Sequence, residues 1–145
     1  MLELSFSEIH SYSSKPEGIS LPVNLRTGQH TAQLLAFVDT GAGHCMFERA
    51  IGVMLGLEIE AGEPKGFLTV TGRVQTFGHL LEIEVMDIRF ESMVYFFEDF
   101  EIRKNLLGRT GWLDRIRLGL VDHDQMLYIA PYDLEPGSES NARLR

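Results

Sequence analysis

The sequence contains a single cysteine, Cys45, and no long hydrophobic run, and both deficits narrow the range of possible proteins. One cysteine cannot form a disulfide within the chain, which favours a reducing compartment. The longest unbroken apolar runs cover five residues, whereas a membrane-spanning helix needs about 20. The amino terminus also lacks the basic and apolar stretches of a secretory signal. We therefore expect a cytoplasmic protein without a membrane partner.

Basic residues are few relative to acidic ones, with 13 Lys and Arg against 21 Asp and Glu and a formal net charge of −8. The electrostatic field of a negatively charged chain repels phosphate backbones, which argues against nucleic-acid binding. The length of 145 residues is that of one domain. The last residues are polar and lack periodicity. We therefore predict one domain over residues 1–132 and a mobile tail over residues 133–145.

Fourteen glycines are scattered between short apolar segments, a pattern typical of strands joined by tight turns. The predicted strands cover residues 19–25, 33–38, 66–79 (a hairpin that turns at or near Gly72), 81–85, 90–97, 105–108, 116–120 and 126–129. Residues 33–38 are almost continuously apolar, which predicts a strand buried on both faces. Apolar and acidic side chains alternate over residues 81–85, which predicts that Glu82 and Glu84 face solvent.

Two short helices are predicted beside these strands. Phe47, Ile51 and Leu55 recur at helical spacing, which predicts a helix over residues 47–55. Thr110 is a suitable cap for a second, brief helix that extends to residue 115.

The most informative segment is residues 34–42, Leu-Leu-Ala-Phe-Val-Asp-Thr-Gly-Ala, in which an acidic residue ends an apolar strand. A carboxylate beside a buried strand costs free energy unless it is hydrogen-bonded or functional. Thr40 can donate a side-chain hydrogen bond, and Gly41 permits close approach of another backbone. Taken alone, the triplet also fits a simple turn in which Asp39 bonds its own backbone.

A second element, Asn-Leu-Leu-Gly-Arg at residues 105–109, strengthens the functional interpretation. With both segments in this order, the chain resembles the retropepsin-like aspartic proteases, in their cellular or bacterial form rather than the viral one. The resemblance covers roughly residues 19–130. It rests on three elements: Asp39-Thr40-Gly41-Ala42, a glycine-bearing hairpin, and Leu106-Leu107-Gly108-Arg109.

This resemblance implies an all-β, closed β-barrel with one or two short helices, and an aspartic endopeptidase that works as a homodimer on peptide or protein substrates. Each subunit would contribute Asp39, and the two carboxylates would share one proton and activate a water molecule. The catalytic residues would be Asp39, Thr40 and Gly41. No metal and no cofactor would be required.

The resemblance also assigns the remaining site residues. Residues 67–78 would form a flap over the substrate. Ala42 and the tip residues Thr71, Gly72 and Arg73 would contact the substrate. The site would be supported from below by Leu106, Leu107, Gly108 and Arg109.

The chain departs from the retroviral pattern after Ala42, where Gly43-His44-Cys45-Met46 replaces further acidic residues. Arg109 thereby loses its usual partner, and Glu48 or Asp114 could take that place. A second function therefore stays open: a catalytically silent dimer of the same fold that binds extended peptides or mediates protein dimerisation.

Other chemistries are less well supported by the sequence. Adjacent side chains such as His44 and Cys45 point to opposite faces of a strand, so they are poorly placed to bind one metal ion. Cys45 would need a histidine base close in space to act as a nucleophile, and no sequence spacing indicates one.

Overall fold

The computed structural model describes residues 1–13, 18–135 and 143–144. Strands predominate in these residues, as predicted, and they are β1 (Glu8–Ser11), β2 (Ser20–Thr27), β3 (His30–Val38), β4 (Met46–Phe47), β5 (Glu63–Thr69), β6 (Gly72–Val85), β7 (Ile88–Phe97), β8 (Leu106–Leu107), β9 (Ile116–Val121), β10 (Met126–Pro131) and β11 (Arg143–Leu144). The α-helix α1 spans Arg49–Met54, and 3-10 turns cover Ile59–Ala61, Leu113–Arg115 and Asp122–Asp124.

The larger sheet closes into a barrel, which confirms the predicted fold. Its strand order is β2-β3-β8-β4-β7-β6-β5, and β2 also pairs with β6, so that six strands form a ring and β5 lies outside it. Two ion pairs link the strands that close the ring: Arg26 contacts Glu84 at 3.0 Å and Glu82 at 3.2 Å. Closure satisfies the strand edges that an open sheet would leave unpaired.

Alternate side chains of the ring strands fill the barrel and its ends with apolar groups. Burial of these side chains is the main source of folding free energy. The largest fully buried side chains are Trp112, Phe47, Phe96, Leu21, Leu25, Leu55, Ile83, Leu107, Leu127, Ile129, Val23 and Val85.

Two burial predictions were wrong. The strand at residues 33–38 is buried on one face only, since Ala36 is fully buried while Leu35 and Phe37 are 63% and 38% exposed. The barrel covers the inner face of β3, whereas Leu35 and Phe37 on the outer face remain exposed. Glu84, predicted to face solvent, is only 8% exposed because it pairs with Arg26 and, at 3.1 Å, with Arg89.

The predicted helices are shorter than their sequence patterns. Met46 and Phe47 pair with β7 as strand β4, so α1 begins only at Arg49. It ends before Gly56, whose φ of +73° is a left-handed conformation that glycine adopts readily. Thr110 caps no α-helix; it bridges to His44, and a single 3-10 turn follows over Leu113–Arg115.

The smaller sheet has the order β11-β1-β10-β9. Strand β1 pairs antiparallel with β10 and parallel with β11. Most of the tail predicted for residues 133–145 lies outside the described residues, namely 136–142 and 145; residues 143 and 144 form β11. None of the helices in the described part of the chain is long and apolar enough to cross a membrane.

Candidate active site

Asp39 follows β3 directly and is fixed from below by β8. Strand β8 runs parallel to β3, with Val38 opposite Leu107, and the Asp39 N–H donates to the Leu107 carbonyl at 3.0 Å. On its other side β8 pairs antiparallel with β4 through Met46. The two-residue strand therefore lies between the two arms of the loop that carries Asp39. This central place explains why Leu107 is fully buried.

At Gly108 the chain crosses, at very short range, the loop that carries Asp39 (residues 39–45, here called the aspartate loop). Arg109 N–H donates to Ala42 O and Thr110 N–H donates to Gly43 O, each at 2.8 Å. A Cβ atom at Gly108 would overlap the carbonyl group of His44 and lie 2.9 Å from Ala42 O. Only glycine fits this crossing without a backbone shift.

A tight turn orients the Asp39 carboxylate. The Gly41 N–H donates to Asp39 Oδ1 at 2.9 Å, and the Ala42 N–H donates to the Asp39 carbonyl at 3.1 Å. Asp39 is half-buried, Thr40 and Gly41 are exposed, and Ala42 is buried. Among the described residues, the Gly41 N–H is the one hydrogen-bond donor to this carboxylate. The carboxylate is thus held in place and remains accessible.

Asp39 opens onto a groove of about 470 Å³, here called the aspartate groove. It is lined by Gly18, Phe37, Val38, Asp39, Arg103, Lys104 and Leu106. A second groove of about 500 Å³, the flap groove, lies between the β5–β6 hairpin and residues 101–106. Arg103, Lys104 and Leu106 line both grooves. The two grooves therefore adjoin, and together they reach from the carboxylate to the hairpin.

The β5–β6 hairpin, predicted to be the flap, has an exposed tip beside the flap groove. Thr69 pairs with Gly72, so Val70 and Thr71 form the turn, and Gly72 has a φ of +128°. The Thr69 hydroxyl donates to the Gly72 carbonyl at 2.7 Å. Thr71 lines the flap groove with Val70, whereas Gly72 does not. Arg73, predicted to contact substrate, lies across Gly66 on the neighbouring arm.

Neither acidic residue suggested for Arg109 pairs with it in the described part of the chain. The Glu48 carboxylate accepts a hydrogen bond from Asn105 Nδ2 at 2.7 Å, and the Glu48 N–H donates to Asn105 Oδ1 at 3.0 Å. Asp114 Oδ1 instead accepts the Gly111 N–H at 3.0 Å. Arg109 contributes its backbone to the crossing, while its side chain is exposed.

Cys45 is a core residue. Burial raises the pKa of its thiol to about 12, so that the thiol stays protonated at neutral pH. Its sulfur accepts the Gly108 N–H at 3.4 Å and thereby supports the crossing. Among residues 1–13, 18–135 and 143–144, no cluster of three or more His, Cys, Asp or Glu side chains could hold a metal ion.

His44, which sequence reasoning did not assign to the site, contacts Phe67, a residue that lines the flap groove. Its ring packs edge-on against Tyr95 and Phe67, with centroids 5.2 and 5.6 Å away. Burial, with a smaller contribution from the charge of Lys65, lowers the pKa of His44 and favours the neutral imidazole. His44 thereby joins the aspartate loop to Phe67 on the flap arm β5. The only sequence feature that could have pointed to His44 is its position within residues 43–46, which replace the acidic residues of the retroviral pattern.

Comparisons with known proteins agree with this architecture. No protein-family model matches the chain, and no curated protein matches its sequence. Its structure is similar to that of a retropepsin-like aspartic protease from Rickettsia conorii, with a TM-score of 0.57 and 18% identity over 90% of this chain and 99% of that one. It is also similar to EIAV protease in complex with an inhibitor, with a TM-score of 0.51 and 21% identity over 65% of this chain and 84% of that one. The closed barrel, the crossing at Gly108 and these two similarities show that the chain has the retropepsin-like fold.

Proposed function

We propose that the chain is an aspartic endopeptidase whose active site forms between two copies, with one Asp39 from each. The sequence has one Asp-Thr-Gly triplet, and a second copy of the chain would supply the second carboxylate. The observation that carries the proposal is the accessible Asp39 carboxylate, fixed by Gly41 and β8 in a groove that adjoins a hairpin flap.

The chemistry follows from placing two carboxylates about 3 Å apart, because both cannot be charged at low cost and they share one proton. The charged carboxylate takes a proton from water as the water oxygen attacks the scissile carbonyl carbon. The protonated carboxyl group donates its proton to the carbonyl oxygen, which gives a neutral diol. The carboxyl group that took the water proton then gives it to the nitrogen while the other carboxylate takes a proton from the diol, so that the C–N bond breaks and the amine leaves.

The surrounding residues would position an extended peptide for this reaction. Strand β5 lies at the edge of the large sheet, so its outer backbone groups are available to a peptide. The flap groove contains apolar side chains from both walls, including Met46, Phe67 and Ile102, which suit apolar substrate side chains. Thr40 would bind its counterpart across the two-fold axis and hold the two loops in register.

The direct test is a mixed peptide library incubated with the purified protein from acidic to neutral pH. We expect endoproteolytic cleavage that stops when pepstatin, which binds paired catalytic aspartates, is added. A dimer that binds these peptides and leaves them uncut would instead identify the catalytically silent alternative.

The shared site predicts that activity depends on dimerisation. Sedimentation velocity should show a species with twice the mass of one chain, and specific activity should fall upon dilution below its dissociation constant. A monomer at every accessible concentration, with full peptidase activity, would contradict the shared site.

The flap assignment predicts a kinetic effect at Gly72. Gly72→Val places a β-branched residue at a φ of +128°, where it is strained, although no neighbouring atom lies within 4 Å. We expect KM for peptides to rise by about tenfold with a smaller change in kcat, because flap closure is impaired.

Gly28 provides a matched control, since it has a φ of +56° and no neighbouring atom within 4 Å of an added Cβ. It lies in the turn between β2 and β3, at the other end of β3 from Asp39. Gly28→Val should lower the melting temperature to a similar extent and leave KM unchanged. Equal kinetics for wild type and a folded Gly72→Val protein would show that the hairpin does not act as the flap.

A further inference from the structure

Arg103 and Lys104 occupy the boundary between the two grooves. They lie in the connection between β7 and β8, separated by Asn105 alone from the strand that supports Asp39. With Leu106 they are the residues that line both grooves. A peptide that extends from Asp39 towards the flap must pass these two side chains.

These two cations have no partner among the described residues. Six other basic side chains are already engaged: Arg26, Arg49 and Arg89 form ion pairs, Arg115 and Arg117 donate to backbone carbonyls, and Lys65 lies over Phe67 and Tyr95. Arg73 and Arg109 also form no ion pair within the described ranges, but they line neither groove. Arg103 and Lys104 are exposed and form neither an ion pair nor a side-chain hydrogen bond in residues 1–13, 18–135 and 143–144. Their charges are therefore available to a ligand.

The other charged residues that line the grooves are Asp39 and Glu101. Glu101 lines only the flap groove, and Asp39 lines only the aspartate groove. The positive charge is thus concentrated where the grooves meet. Although the whole chain carries a net charge of −8, charges farther away than about 8 Å are largely screened at physiological ionic strength. The local cations determine which side chains are favoured at this position.

We infer that Arg103 and Lys104 select substrates with an acidic side chain close to the cleaved bond. This inference rests on the proposed endopeptidase function and names its substrate class: an extended peptide that combines an apolar residue for the flap groove with Asp or Glu at the groove boundary. The carboxylate of such a residue would pair with the two cations, which also offset its repulsion from the nearby Asp39 charge. In a two-fold dimer each subunit supplies one such pair, so the preference holds on both sides of the bond.

The test compares matched peptides that carry Glu or Gln at each position near the cleaved bond. The readout is the ratio of kcat/KM for the Glu and Gln peptides, because this ratio cancels differences in folding and active fraction. We expect wild type to prefer Glu by about twofold to fivefold at low salt, the upper part of the range for an exposed ion pair, and the preference to fall as salt is added. Arg103→Gln with Lys104→Gln should abolish the preference.

Two variants control for charge. Arg103→Lys with Lys104→Arg keeps both charges in the grooves and should keep the preference. Arg115→Gln removes one charge from a side chain that stacks on Phe90 at 4.4 Å, outside both grooves, and should also keep it. A preference that survives in the double Gln variant, or no Glu preference in wild type, would overturn the inference.

A binding measurement separates this inference from the proposed function. Fluorescence anisotropy of the same Glu and Gln peptides with the Asp39→Asn protein measures selection without cleavage. If wild type cuts peptides without any Glu preference, the selection inference fails and the endopeptidase stands. If wild type cuts nothing, the endopeptidase fails, and the binding ratio with and without the two cations still decides whether they select acidic peptides.

Discussion

Replacing Asp39 with Asn is expected to abolish peptide cleavage, with kcat lowered by about a thousandfold or more. Asparagine has nearly the same size, and its side-chain oxygen can still accept the Gly41 N–H that fixes the turn at 2.9 Å. It cannot accept a proton from water, and an amide pair at the two-fold axis has no proton to share. The loss should therefore be chemical, while the fold and the dimer persist.

Cys45→Ser is the control for this experiment because it changes the other reactive side chain near the loop. Cys45 is fully buried and its pKa is raised to about 12, so it is unsuited to attack a peptide bond. A serine hydroxyl can still accept the Gly108 N–H, and most of the activity should remain.

Peptide cleavage by both variants is measured together with sedimentation and circular dichroism. Wild-type turnover by the Asp39→Asn protein, with activity lost in a folded Cys45→Ser protein, would assign the reaction to a cysteine hydrolase. An Asp39→Asn protein that fails to dimerise would indicate that the carboxylate has a structural role instead.

The local elements of the fold could be predicted because their signals lie within a few residues. The β2–β3 hairpin is marked by Thr27-Gly28 between two apolar segments, and the turn of the flap hairpin is marked by Gly72. Strand β8 has only two residues, too few for periodicity to identify. It could be anticipated only because Leu-Leu-Gly-Arg resembles a known family element.

Long-range pairing could not be predicted from local patterns. Glu84 has the alternation of a solvent-facing residue, yet Arg26, 58 residues away, pairs with it across the closure of the barrel. Strand β1 has no apolar alternation of its own and forms through pairing with β10 at the other end of the chain. The position of Arg103 and Lys104 likewise depends on long-range pairing, because insertion of β8 between β3 and β4 brings them to the boundary of the two grooves. In an ordinary loop, the same two residues would simply be exposed to solvent.

Of the substitutions proposed, we expect Gly108→Ala, in the crossing beneath the aspartate loop, to lower the free energy of unfolding most. Gly108→Ala adds a Cβ that would overlap the His44 carbonyl and lie 2.9 Å from Ala42 O, and both contacts are with backbone that cannot rotate away. Relief requires the loop and β8 to separate, which strains the hydrogen bonds from Arg109 to Ala42 and from Thr110 to Gly43. We expect the free energy of unfolding to fall by about 3 kcal/mol, or roughly 6–12 °C in melting temperature.

Gly43→Ala is a matched control in the same crossing, because a Cβ at Gly43 meets nothing within 4 Å and its φ is not in the left-handed region. Thermal unfolding of both variants should be followed at equal protomer concentration, since dimerisation makes the melting temperature depend on concentration. Gly43→Ala should unfold within about 2 °C of wild type. Equal stability of the two variants would mean that β8 does not pass this close to the loop. Asp39 is held by its own hydrogen bond to Leu107, the residue before Gly108. Gly108→Ala should therefore also lower kcat at temperatures where the protein remains folded, because the two carboxylates lose their fixed separation.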